Sequence, residues 1–240
     1  MKRFLTASVL AFAASYGISA QAQEAGQPSY FQKPMPAPSK AFEINVGTAY
    51  NQGWGNLTDP VSAAGQTFGR QLQDVAGAGL QFELDLGYRA SPAFAAGIYG
   101  TVAQFTNQTQ VEGTNVRSVT AGIQGQWYAR PFRSLNPWLT LGTGYRGNWV
   151  VPEVGGNIGR HGWQIARLQA GADFRLSRDV AIAPYVAGDI NIIISENLPN
   201  GLSRNLDGPP AFASITAGVL GRFDLGGMYV TPGGAVARRQ

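Results

Sequence analysis

The sequence predicts an all-β chain: an eight-stranded antiparallel up-and-down barrel that crosses a membrane, with short periplasmic turns and longer extracellular loops. Three observations carry that prediction. An export-type N-terminus precedes the body of the chain, eight later segments alternate apolar and polar residues with a period of two, and no later stretch approaches the roughly 18 consecutive apolar residues of a spanning helix. Inside a bilayer every backbone N–H and C=O needs a partner within the protein, so a β span has to close on itself.

Met1-Lys2-Arg3 is a positive start, Phe4 to Ile18 is an apolar run too short and too rich in Ser and Gly for a membrane anchor, and Ala20-Gln21-Ala22 is a small-residue cleavage pattern. Residues 1–22 therefore read as a signal peptide cut after Ala22. Residues 23–40 carry Pro28, Pro34, Pro36 and Pro38 with little to bury, and read as an extended, solvated linker. The barrel domain is expected over 41–230, and 231–240 is a C-terminal tail.

The first alternating run is Phe42 to Tyr50, where Phe42, Ile44, Val46, Thr48 and Tyr50 oppose Glu43, Asn45, Gly47 and Ala49. In the second, Leu80 to Arg89, four apolar residues and Tyr88 oppose Gln81, Glu83, Asp85, Gly87 and Arg89. The third is Phe94 to Val102, the fourth Arg117 to Ala129 and the fifth Trp138 to Asn148. The sixth, Ile165 to Leu176, sets Ala166, Leu168, Ala170, Ala172, Phe174 and Leu176 against Arg167, Gln169, Gly171, Asp173 and Arg175. Val180 to Ile192 and Ile215 to Leu225 complete the set. Eight is even, as closure of such a barrel requires.

Connections alternate in length. Ala90 to Pro92, Arg130 to Pro137 and Ser177 to Asp179 are tight, whereas Asn51 to Ala76, Thr106 to Val116, Val150 to Gly162 and Ser195 to Pro210 are long and polar. Outer-membrane barrels show this asymmetry, with short turns in the periplasm. Tyr88, Phe94, Trp127, Phe174 and Phe223 share the apolar parity near the short turns, and Tyr50, Tyr145 and Trp149 share it near the long loops. Two belts of interfacial aromatics are expected from them.

Periodicity alone also fits a secreted lipocalin-like barrel with its apolar face inward. The aromatic belts argue for the membrane arrangement, and so does the use of basic residues: lysine occurs only at positions 2, 33 and 40, and every later basic residue is arginine. Arginine suits paired, enclosed charge because its planar fork meets carboxylates bidentately. With the polar face inside, Glu43, Glu83, Asp85, Asp173, Asp189 and Asp224 meet Arg146, Arg167, Arg175 and Arg222. An eight-stranded barrel is just wide enough to be filled by its side chains, so these charges are expected to plug the lumen. The alternative is a narrow ion path with Arg167 or Arg222 as a latch.

Other chemistry is scarce. Removing Lys2 and Arg3 from the net charge of +4 leaves +2, too little and too dispersed for nucleic-acid binding. The chain has no cysteine and one histidine, which excludes disulfides and the usual zinc sets. His161, in Gly159-Arg160-His161-Gly162, reads as an exposed loop residue, with Ser203 and Asp207 as remote candidates to approach it. No catalytic, cofactor or metal site is expected.

Leu84-Asp85-Leu86-Gly87-Tyr88-Arg89-Ala90-Ser91-Pro92, Pro137-Trp138-Leu139-Thr140-Leu141-Gly142-Thr143-Gly144-Tyr145 and Ala172-Asp173-Phe174-Arg175-Leu176-Ser177-Arg178-Asp179 look like strand-turn-strand joints. On these the chain, over roughly 41–230, resembles the small outer-membrane β-barrel proteins of Gram-negative bacteria, the superfamily of opacity-type surface antigens, the OmpW type and the OmpA barrel domain. The resemblance implies insertion by the barrel-assembly machinery and contact with outer-membrane lipids and lipopolysaccharide. It also implies a last strand ending on an aromatic. Phe223 and Tyr229 are candidates, and the tail after them departs from that pattern. A non-enzymatic envelope or surface-contact role is expected, with Asn51 to Ala76, carrying Trp54, Asn56 and Phe68, as the longest exposed surface. A narrow solute pore and a lipid-modifying barrel enzyme are the alternatives.

Overall fold

Period-two alternation becomes eight long strands. The computed structural model describes residues 35–56, 61–63, 66–68, 72–107, 115–152, 157–198, 201–230 and 236–237. The signal peptide, the cleavage point after Ala22 and residues 23–34 lie outside them. The barrel strands are β1 (Ala41–Gly55), β2 (Ala76–Ser91), β3 (Phe94–Asn107), β4 (Asn115–Tyr128), β5 (Leu135–Val151), β6 (Ile158–Arg175), β7 (Val180–Asn197) and β8 (Ala211–Leu225). Each pairs antiparallel with its sequence neighbour, and β8 returns to β1 in a continuous register from Phe42↔Leu225 to Gly55↔Phe212. The sheet has no open edge among these strands.

All eight strands coincide with alternating segments of the sequence, and most are longer toward the extracellular loops. Lengths of 14 to 18 residues exceed the roughly 9–11 that a tilted span needs, so the ladder continues beyond the membrane. The turn ends are tight. Ser91 pairs directly with Phe94, and at the β6–β7 turn the Ser177 hydroxyl accepts from the Asp179 and Val180 amides at 3.2 and 3.1 Å.

The outward surface is the apolar one. Phe82 is 58% exposed, Leu141 62% and Ile123 63%, whereas Arg89, Asp173, Arg175 and Asn191 are fully enclosed. This inversion of a water-soluble protein is what a lipid solvent selects: it stabilises apolar surface outside and forces charge inside. The chain is a transmembrane barrel, and the lipocalin-like arrangement is excluded.

Two corrections follow at the ends of the barrel. From Met35 onward the Pro-rich segment is no solvated linker. The Met35 and Ala37 amides donate to Phe132 O and Pro131 O in the β4–β5 turn at 3.2 and 3.0 Å, and Ser39 and Met228 exchange amide bonds of 2.8 and 2.7 Å. Met228 can reach back because Gly226 and Gly227 take φ of 73° and 88° at the end of β8, a left-handed conformation that glycine adopts freely. Beyond it, Tyr229–Val230 pairs with Val236–Ala237, and the Tyr229 hydroxyl donates to the Asp179 carboxylate.

His161 is the second correction. It lies in β6 rather than in a loop. A register shift between Gln164 and Ala166 changes the parity there, turning His161, Trp163 and Ile165 outward while Arg160, Gly162 and Gln164 turn inward.

Candidate functional site: the charged lumen

Every inward charge named from the sequence is buried, and the barrel stacks them in layers. Nearest the periplasm, Arg89 donates to Glu43 Oε1 at 2.7 Å, Arg175 donates to Asp224 Oδ2 at 2.9 Å, and Arg222 pairs with Asp173 at 3.0 Å. Tyr128 links this layer: its hydroxyl donates to Glu43 at 2.6 Å and accepts from Arg222 at 2.8 Å, while the Arg89 guanidinium lies 3.8 Å over its ring. Arg222 also lies 4.4 Å over Trp138. Planar cations thus fill the floor of the lumen by stacking as well as by pairing.

At mid-height the contact crosses the barrel. Arg167 on β6 donates to Glu83 on β2 at 2.7 Å, and Glu83 also accepts from Tyr185 at 2.7 Å and Gln169 at 3.4 Å. Asp189, 3.9 Å from Arg167, accepts from Ser214 at 3.1 Å. Above it Arg146 meets Ser118, Asn191 and Ser214 at 3.1, 3.3 and 3.5 Å, so polar neutral groups surround this guanidinium. Near the extracellular end Arg160 and Arg204 both hold Glu196, each at 2.8 Å.

An apolar layer covers the charges. Val75, Ala76, Ala103, Phe105, Val116, Ile193 and Phe212 cluster inside the upper barrel, with Leu72 of the short 3₁₀ turn Leu72–Asp74, Val150 and Leu206 against them. A narrow pocket remains between this lid and Arg146 and Arg160.

Three features escaped the sequence reading. Arg89 was visible on the polar face of its strand, yet its pairing with Glu43 depends on the β1–β2 register. The Arg160–Glu196 pair lies beyond the alternating runs, where hydropathy gives no signal. Asp85 differs from the expected pairing: it accepts from Asn45 Nδ2 at 3.4 Å and hydrogen-bonds the Gln124 side chain, and no arginine nitrogen comes within ion-pair distance among the described residues.

The aromatics take up the outer face. Tyr88 stands edge-on to Phe42 with centroids 5.5 Å apart, Phe94 pairs across strands with Trp127, and Phe174 and Phe223 lie at the same turn-side level. Toward the loops are Tyr50, Tyr145 and a half-buried Trp149. Tyr145 stacks on His161 at 6.0 Å, Trp149 meets the same imidazole edge-on at 5.7 Å, and Trp163 contacts Tyr145 at 6.5 Å. The imidazole Nε2 faces Asn197 Nδ2 at 3.3 Å, and Ser195 lies opposite His161 in the ladder.

Solved structures share this architecture. The solid-state NMR structure of outer membrane protein AlkL in DMPC lipid bilayers matches with a TM-score of 0.50 at 13% identity, covering 85% of this chain and 98% of that one. OprG from Pseudomonas aeruginosa gives 0.49 at 12% identity over 80% of this chain and 99% of that one, and Neisserial surface protein A gives 0.47 at 12% over 75% and 95%. No family model and no curated protein matches the chain. The likeness to AlkL shows the fold alone, an eight-stranded membrane β-barrel.

Proposed function

We propose that the protein is a closed, non-enzymatic barrel of the outer membrane, exported by its N-terminal signal with cleavage after Ala22. It stabilises the envelope and meets its surroundings through the extracellular loops. The observation that carries this reading is the Arg167–Glu83 contact with Tyr185, which spans the lumen at mid-height between a charged floor and an apolar lid. A wet ion path needs a continuous polar route, and the lid interrupts one. Insertion by the barrel-assembly machinery and contact of the outer wall with lipid and lipopolysaccharide belong to the same proposal. The loop between β1 and β2, with Trp54 and Asn56 at its start, is its main contact surface; the side chain of Phe68 lies outside the described residues.

Planar-bilayer recording tests the reading. Wild-type protein and an Arg222→Ala variant, refolded and inserted, are expected to show no stepwise conductance. Steady ohmic channels in the wild type would overturn the closed lumen. Channels in the variant alone would assign Arg222 the latch role of the competing pore.

A further inference from the structure

The inward charges of the membrane-spanning barrel do not balance. Glu43, Glu83, Asp85, Asp173, Asp189 and Asp224 are six acids, and Arg89, Arg146, Arg167, Arg175 and Arg222 are five arginines, all buried. Four acids have an arginine nitrogen within 3.0 Å, and Asp189 has Arg167 at 3.9 Å. Asp85 is the acid left over.

A second observation points into the space beside it. Asp85 Oδ1, Asn45 Oδ1 and Gln124 Oε1 are enclosed oxygens without a donor, and all three residues line one small cavity. Asp85 and Asn45 are each only 3% exposed. Gly87, Ala95 and Gly97 supply the room, since larger side chains at those inward positions would fill it. A buried acceptor without a donor costs roughly 1–3 kcal/mol and an unpaired charge costs more. One water has two protons to give to three oxygens, and it leaves the carboxylate charge in place.

We propose that this cavity is a binding site for a monovalent cation of the sodium or potassium class, held by the Asp85 carboxylate and the amide oxygens of Asn45 and Gln124. One carboxylate and neutral oxygens suit a hard, singly charged ion, and the bound ion brings the interior to charge balance. The site goes beyond the closed-barrel reading and does not depend on it, since a conducting barrel could hold the same ion.

The full chain, refolded in zwitterionic lipid vesicles, is unfolded with urea in NaCl, KCl or tetramethylammonium chloride at equal ionic strength. Tetramethylammonium screens charge equally and is too bulky for this small cavity. A ligand that binds only the folded state stabilises with the logarithm of its concentration once above its dissociation constant. The expected result is a midpoint that rises with NaCl or KCl and stays flat in tetramethylammonium chloride, with the Asp85→Asn variant flat in all three. Should that variant fail to fold, ²³Na line broadening by the wild type, reversed by KCl and reduced in Gln124→Leu, gives the same information. Equal midpoints of the wild type in all three salts, or an unbroadened ²³Na line, would overturn the site and leave a proton as the neutralising partner of Asp85.

Discussion

Replacing Glu83 with alanine tests the mid-lumen contact most severely. The carboxylate accepts from Arg167 and Tyr185 at 2.7 Å each and from Gln169 at 3.4 Å. Without it the Arg167 guanidinium stays enclosed, with Asp189 at 3.9 Å as the one remaining acid within ion-pair range. Breaking a buried pair from one side costs about 3–5 kcal/mol, because the surviving charge keeps its desolvation and loses its partner. That loss is expected in the urea unfolding free energy of Glu83→Ala, followed by tryptophan emission in vesicles. Removing both ends relieves the orphaned charge, so Glu83→Ala with Arg167→Ala should lose less than the summed single variants by at least about 1 kcal/mol. Strict additivity, or a single-variant loss under about 1 kcal/mol, would refute the argument that the pair is desolvated and coupled.

Two further outcomes are expected. Leu84→Arg places a guanidinium on the outer wall at a mid-strand position that is 48% exposed, and should destabilise the vesicle-inserted barrel by about 2–4 kcal/mol; a change under about 0.5 kcal/mol would mean that this wall faces water. Gly122→Val puts a β-carbon against the Thr143 carbonyl oxygen and 2.6 Å from the Tyr99 ring, so the yield of the compact, heat-modifiable species on gels should fall sharply, whereas Gly188→Val, with open space around its β-carbon, should refold nearly as the wild type does.

Strand number and sidedness were legible because lipid and lumen impose opposite chemistry on successive residues. Leu84 and Asp85 could be assigned to opposite faces from sequence alone. Strand ends were not, since beyond the membrane both faces meet polar surroundings and the ladder continues without alternation, as in the extracellular parts of β6 and β7. The shift near Ile165 reversed the parity upstream of it and moved His161 from an imagined loop to an aromatic wall. Face is a local property, whereas partners are not. Glu83 and Arg167 lie four strands apart and meet only because the sheet closes, and nothing near Asp85 in the chain marks it as the acid without an arginine. The apolar lid stayed hidden because Phe105 and Ile193 fall where the alternation is already fading.

The crossing made by Met35 to Ser39 bears on how the barrel is sealed. Seven of the eight strand pairs are tied by a covalent turn or loop, and the β8–β1 seam has none. The Ser39 and Met228 exchange adds one more rung to that seam below Phe42 and Leu225, and the Ala37 amide fastens the same strand of backbone to Pro131 on the opposite wall. The last seam and the strand of backbone that crosses the periplasmic mouth therefore share the Ser39–Met228 rung, and the closed barrel is tied on both sides of its circumference.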